Sequence, residues 1–130
     1  MAQASATRDE GLSLALGSLG TLHWVGIVLA AITGVIHLVL GVSFLPSPFG
    51  VAFVVAGVGF GLGIAVVVLD YRRRLFYALG VLFTLGQVVL WYQVNAADIA
   101  AGDVGTIDIV DKVAQVLLVA VLVVLYRREG

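Results

Sequence analysis

The chain has 130 residues, of which 62% are hydrophobic and 12% are charged, and its mean hydropathy is +1.15. A soluble domain is about 45–50% apolar and about 25% charged, so this composition excludes an ordinary water-soluble protein. The formal net charge of −1 gives no reason to expect a nucleic-acid partner, and the absence of cysteine excludes disulfides, thiolate metal sites and iron–sulfur clusters.

The first 20 residues predict a polar tail and an interfacial lead-in. Charged residues near the start, such as Arg8 and Glu10, do not form the basic start and apolar stretch of a signal peptide. Leu12, Leu16 and Leu19 then recur on one helical face. This segment is either a lead-in at the membrane surface or an early start of the first span.

Four apolar segments follow, and their lengths suit membrane-spanning helices. We predict an all-α integral membrane four-helix bundle, a single domain over residues 1–130, with spans at about 22–44, 51–69, 75–94 and 106–126. Only residues 113–126 of the fourth segment are free of charge. Its helix is therefore expected to begin near Thr106 and to project from the membrane, with Asp108 and Lys112 paired on its first turns.

The basic residues predict the orientation of these spans. Arg8, Arg72–Arg74, Arg127 and Arg128 all fall on one side of a four-span protein. Because cytoplasmic loops are rich in lysine and arginine, both termini are expected in the cytoplasm. The predicted location is the cell (cytoplasmic) membrane, which the chain would cross as a multi-pass protein.

The second span carries four glycines at alternate positions, namely Gly57, Gly59, Gly61 and Gly63. They form two interleaved GxxxG patterns, and small residues allow helices to approach closely in lipid. We predict that these glycines pack against another helix.

The two histidines of the chain, His23 and His37, both lie in the first span. An ionisable side chain within a membrane is a functional hypothesis by default, and no acid or base lies near the centre of any span. A separation of 14 residues places the two imidazoles within roughly 40° on one helix face and about 21 Å apart along the axis. Gly20, Gly34 and Gly41 lie beside them and would leave room for a flat macrocycle.

This arrangement resembles a helix of the membrane b-type cytochromes, in which two histidines about four turns apart ligate two stacked haems. The resemblance implies haem b, with His23 and His37 as axial metal ligands, and electron transfer through the membrane. In that family two helices each supply a histidine pair, whereas this chain offers one, so a two-fold homodimer would complete the ligation. Alternatively, His23 is an interface anchor beside Trp24, and His37 is a packing residue hydrogen-bonded to a polar side chain or a backbone carbonyl.

Two other function classes remain open, and we assign no catalytic residue. In the first, the protein would be a non-catalytic accessory subunit that docks onto a larger membrane complex through its glycine face. In the second, it would be a small transporter or channel lined by glutamine and glycine. The lack of carboxylates within the spans disfavours proton coupling. The arginine-rich ends and acidic loops are similar to those of uncharacterised small membrane proteins of halophilic archaea.

Overall fold

A computed structural model describes the backbone of residues 2–129 and the side chains of residues 10–129. This part of the chain forms five helices and no strand, which confirms the all-α prediction. The helices are α1 (Ala2–Gly17), α2 (Thr21–Phe44), α3 (Pro48–Val68), α4 (Arg73–Ala100) and α5 (Thr106–Arg128). Helices α2 to α5 are each long and apolar enough to cross a membrane, so the chain is a multi-pass membrane protein.

The ends of these helices follow from local sequence. Ser47 caps α3, because its hydroxyl accepts a hydrogen bond from the amide of Gly50 at 3.2 Å, and Pro48 occupies the first turn, where no amide donor is needed. Helix α4 continues to Ala100 rather than ending at residue 94, and Gly102 then turns the chain with a φ of 77°. The alanines near Ala100 favour helix, which explains the added turns.

The segment before the first span forms a separate helix. Helix α1 ends at Gly17, and residues 18–20 separate it from α2, so it is not an early start of that span. Its leucines, including Leu12 and Leu14, are exposed. Arg73 donates a 3.5 Å hydrogen bond to the carbonyl of Ala15 and so links α1 to the rest of the molecule. An interfacial position of α1 therefore stays a prediction.

Helices α2 and α3 make the closest contact in the molecule, and glycines allow it. A Cβ at Gly41 would lie 2.7 Å from the backbone nitrogen of Val54, and one at Gly57 would lie 2.6 Å from Leu38. Helix α5 packs against both α2 and α4, whereas α3 and α4 hardly touch. An internal space is therefore left between the four spanning helices.

We call the end of the bundle that carries Arg72–Arg74 and Arg127–Arg128 the basic end, and the opposite end the loop end. Arg73 also has a structural role, because its side chain is buried. Its Nε donates to the carbonyl of Val67 at 2.8 Å and lies 3.3 Å from the carboxylate of Asp70. Arg73 thereby adds a second donor to a carbonyl at the end of α3 that also accepts from the amide of Asp70 at 3.2 Å.

Candidate functional site

Each histidine of α2 faces a carboxylate of α5, one pair at either end of the bundle. His23 contacts Glu129 at the basic end, and His37 lies beside Asp111 at the loop end. The two helices run antiparallel, so the earlier histidine meets the later acid. Both imidazoles are directed into the chain's own bundle, with 8% of His23 and 6% of His37 exposed.

The loop-end pair has a defined hydrogen-bond pattern. The Nδ1–H of His37 donates to the backbone carbonyl of Thr33 at 2.8 Å, so in the neutral ring Nε2 is the acceptor nitrogen. This Nε2 has no hydrogen-bond partner among residues 10–129. The hydroxyl of Thr33 donates to Asp111 Oδ1 at 2.5 Å, and that oxygen lies 3.8 Å from His37 Nδ1. Asp111 therefore lies beside an imidazole whose Nε2 is free to accept a proton.

Lysine and glutamine side chains extend this pair towards α4. Lys112 Nζ donates to Asp111 Oδ2 at 2.7 Å and to Gln115 Oε1 at 2.9 Å, so it pairs with its neighbour rather than with Asp108 as predicted. Gln115 in turn donates to Gln87 Oε1 at 3.0 Å. Neither Gln87 nor Gln115 forms a hydrogen bond with His37. The partner of its Nδ1 is the backbone carbonyl of Thr33, one of the alternatives that the sequence left open.

The network ends in buried groups on α4 that lack partners. Thr84 Oγ1, Gln87 Nε2 and Trp91 Nε1 are buried and make no hydrogen bond within the described part of the chain. Native proteins leave few such groups, and each asks for an explanation.

In the basic-end pair, by contrast, both ring nitrogens of His23 have hydrogen-bond partners. Nδ1 of His23 accepts a hydrogen bond from the amide of Gly20 at 2.9 Å. The proton of the neutral ring therefore lies on Nε2, which is 2.5 Å from Glu129 Oε1. Tyr77, fully buried on α4, donates to the same oxygen at 3.2 Å.

A cavity of about 80 Å³ lies between the four spanning helices, and neither His37 nor Asp111 lines it. His23 and Tyr77 line it near the basic end, and Thr84 lines it further along α4. Apolar side chains such as Phe60 and Leu118 form most of its wall. The cavity therefore extends from the basic-end pair to the first of the unpartnered groups.

A comparison with known families finds one match, the family of unknown function DUF7475, over residues 10–126. The chain belongs to this family. No curated protein and no solved structure matches the chain. The match includes α2 to α4, and it includes Asp111 but not Glu129.

The glycines predicted to leave room for haem have other neighbours in this member of DUF7475. Gly20 precedes α2 and holds the imidazole of His23. A Cβ at Gly34 would lie 3.2 Å from Phe60, and one at Gly41 would meet Val54, so both glycines serve the contact with α3. In addition, residues 10–129 contain no group of three histidine, cysteine or acidic side chains that could hold a metal ion. Haem ligation by His23 and His37 stays a prediction.

The four glycines of α3 divide into two pairs. A Cβ at Gly57 would meet Leu38, and one at Gly59 would lie 2.8 Å from Phe83. Gly61 and Gly63 have no such neighbour within 4 Å in the described part of the chain. A packing role for the second pair therefore requires a partner outside this chain.

The carboxylates Asp111 and Glu129 were missed as site residues because both lie outside the charge-free stretch of the fourth span. Asp111 was placed on a part of the helix that projects from the membrane, yet it is only 5% exposed. A signal was present in the sequence. Asp111, Gln115, Leu118, Leu125 and Glu129 follow the spacing of one helix face, and that face contacts α2 and α4.

Proposed function

We propose that the protein carries protons across the cell membrane, as a small transporter whose proton sites are the two histidine–carboxylate pairs. The observation that carries this proposal is the burial of Asp111 beside His37 within membrane-spanning helices. Charged groups are costly at this depth, and those that are kept commonly form ion or proton paths. Asp111 lies buried within α5, a helix long and apolar enough to span a membrane, so it supplies the carboxylate whose lack counted against proton coupling.

The loop-end pair has the parts of a proton acceptor. Nε2 of His37 has a free lone pair, while Nδ1 is held by the carbonyl of Thr33. A proton bound at Nε2 creates an imidazolium next to the carboxylate of Asp111, 3.8 Å from Nδ1. The opposite charge of the carboxylate attracts the imidazolium, and the ammonium group of Lys112 pairs with the same carboxylate at 2.7 Å.

The basic-end pair provides the second site. Glu129 carries the exchangeable proton at this end, because its carboxylate oxygen accepts from His23 Nε2 and from Tyr77 while both ring nitrogens of His23 are already engaged. Glu129 is 29% exposed in its side chain and so reaches the solvent at that end. The cavity that runs from His23 to Thr84 has room for a few water molecules, each of which needs about 30 Å³ in the liquid. Its apolar wall favours brief hydration and hence slow transport.

The test is proton uptake by vesicles that contain the purified protein and a trapped pH indicator, driven by a potassium diffusion potential. Wild type is expected to take up protons faster than empty vesicles. Asp111→Asn should remove most of this excess, because the neutral amide no longer stabilises the imidazolium of His37. Asp103→Asn is the matched control, since Asp103 is an exposed carboxylate in the preceding loop.

Two results would count against this function. Wild-type vesicles that are no leakier than empty ones would leave the two pairs as structural contacts between α2 and α5. Equal uptake by wild type and Asp111→Asn would place the proton path elsewhere. The comparison with Asp111→Asn applies when Asp103→Asn retains uptake and when the circular dichroism of both variants matches that of wild type.

Haem-based electron transfer in a homodimer is the second candidate. One observation favours it at His37, because a histidine that donates Nδ1–H to a carbonyl and presents Nε2 has the arrangement common among metal ligands. The absorption spectrum of the same preparation, made with ample haem, distinguishes the candidates. A reducible Soret band would support the haem, and its absence would end that candidate.

The identity of any partner also remains a proposal. Exposed Gly61 and the neighbouring Gly63 suit a second helix from another copy or from a larger membrane complex, as the homodimer and accessory-subunit hypotheses require. The cell-membrane location and the likeness to small membrane proteins of halophilic archaea stay predictions. Cross-linking of the intact membrane tests the partner, and a monomer at all concentrations would remove it.

A further inference from the structure

The buried groups without partners on α4 lie along one helix face. Thr84, Gln87 and Trp91 are spaced three and four residues apart, so their side chains are neighbours on the helix. The atoms concerned are a hydroxyl, an amide nitrogen and an indole nitrogen, all of which can donate a hydrogen bond. Donors buried without an acceptor carry a desolvation penalty that a bound acceptor would remove.

A positive charge lies next to this face. Lys112 Nζ is 5.3 Å from the ring centre of Trp91, and it uses two of its three protons on Asp111 and Gln115. Gln115 also donates to the oxygen of Gln87, so the amide nitrogen of Gln87 is the end that remains free. This network therefore fixes the orientation of the amide that carries the free donor.

We propose that a small monovalent anion of the chloride type binds here, held by Gln87 Nε2 and Trp91 Nε1 beside Lys112. An indole N–H, an amide N–H and an ammonium group can only donate. A water molecule in this place would satisfy them but would need acceptors for its own two hydrogens. A halide accepts from every donor and has no hydrogens to place.

The local charges connect this site to the proton site. Asp111 offsets the charge of Lys112 while His37 is neutral, so a proton on His37 leaves the cluster with one positive charge in excess. An anion at Gln87 and Trp91 would neutralise it. The bound anion then favours the proton on His37 and so promotes proton transfer through this site. This coupling rests on the proposed function, whereas anion binding itself rests only on α4 and Lys112.

Tryptophan fluorescence tests the binding directly. The chain has two tryptophans, and Trp24→Phe leaves Trp91 as the only one. Bromide, which quenches indole fluorescence on contact, is added to this variant in detergent at constant ionic strength with gluconate as the replacement anion. We expect quenching that saturates and that chloride reverses. Quenching that rises linearly and ignores chloride would overturn the site.

Gln87→Leu in the same background removes one donor and should weaken the apparent bromide affinity by about tenfold, as expected for one hydrogen bond to a charged ligand. Gln93→Leu is the control, because Gln93 is an exposed glutamine on the same helix. If Gln87→Leu fails to fold, saturable and chloride-sensitive quenching of the Trp24→Phe protein still decides the question. Equal affinities in Gln87→Leu and Gln93→Leu would contradict the assignment to Gln87.

Proton uptake then separates this inference from the proposed function. Chloride on the side from which protons enter should speed uptake by wild-type vesicles relative to gluconate. Saturable bromide binding without any proton uptake would overturn the transport function and leave the anion site standing. Proton uptake without bromide binding would do the opposite.

Discussion

Thr33 joins the two charged partners at the loop end. Its carbonyl accepts from His37 Nδ1, and its hydroxyl donates to Asp111 Oδ1. The side chain is fully buried, so neither bond competes with solvent. One residue thus sets the tautomer of the imidazole through its backbone and holds the carboxylate through its side chain.

Removing the hydroxyl should destabilise the protein while keeping the imidazole in place. Thr33→Val leaves the carbonyl unchanged but costs Asp111 a buried hydrogen bond, which is expected to lower the free energy of unfolding by about 1–3 kcal/mol. Unfolding in mixed micelles with increasing denaturing detergent measures this loss. Ser43→Ala is the control, because Ser43 is exposed and its hydroxyl bonds only to the carbonyl of Val39 in its own helix. Equal losses in both variants would contradict the role given to Thr33.

At the scale of single residues, the sequence identified the histidine of each pair but not its carboxylate. The histidines were recognised because the chain has only two of them and both lie in an apolar span. Their partners were not, because Asp111 lies within five residues of the start of α5 and Glu129 follows its last residue. A charge near a helix end is usually solvated, and only the packing of α5 on α2 shows that these two contact a histidine.

At the scale of helices, α3 uses its glycines unequally. Gly57 lies against Leu38 and the carbonyl of Gly34, whereas Gly61 has open space around it. The GxxxG spacing predicts that small residues share a ridge. It does not tell which part of the ridge meets α2, because that depends on the crossing angle and on the Leu45–Ser47 turn that sets where α3 begins.

Leucine substitutions at these two glycines should therefore have different effects. Gly57→Leu overpacks the contact between α2 and α3 and is expected to cost about 1–3 kcal/mol of monomer stability. Gly61→Leu should leave the monomer as stable as wild type, measured in the same micelle titration. A large loss in Gly61→Leu at low protein concentration would mean that this face already has a neighbour within the chain.

At the scale of the whole molecule, the apolar segments and the arginines are strong signals. Four runs of spanning length give four helices, because a backbone in lipid must satisfy its own hydrogen bonds. The internal cavity could not be predicted in the same way. It arises because α3 hardly touches α4 while α5 packs on both α2 and α4, and pairwise contacts between distant helices leave no periodic trace.

Orientation is the prediction that belongs to this scale. Five arginines, Arg72–Arg74 with Arg127 and Arg128, gather at the basic end, which is expected to face the cytoplasm. A reporter enzyme active only in the cytoplasm and fused after residue 130 should be active. An inactive fusion, together with an active one inserted in the 101–105 loop, would reverse the orientation and with it the side from which protons reach His37.

The pairing of α2 with α5 also bears on how the protein is made. Helix α5 leaves the ribosome after α2 and brings Asp111 and Lys112 towards the bilayer. Translocon scales assign charged residues at a helix centre a cost of about 2.5–3.5 kcal/mol each. The cost is lower near a helix end, yet contact of Asp111 with Thr33 and His37 still stabilises α5 as it enters the bilayer. Insertion of α5 is therefore expected to depend on α2 already being in the membrane, so that the biosynthetic order of the chain becomes part of its folding.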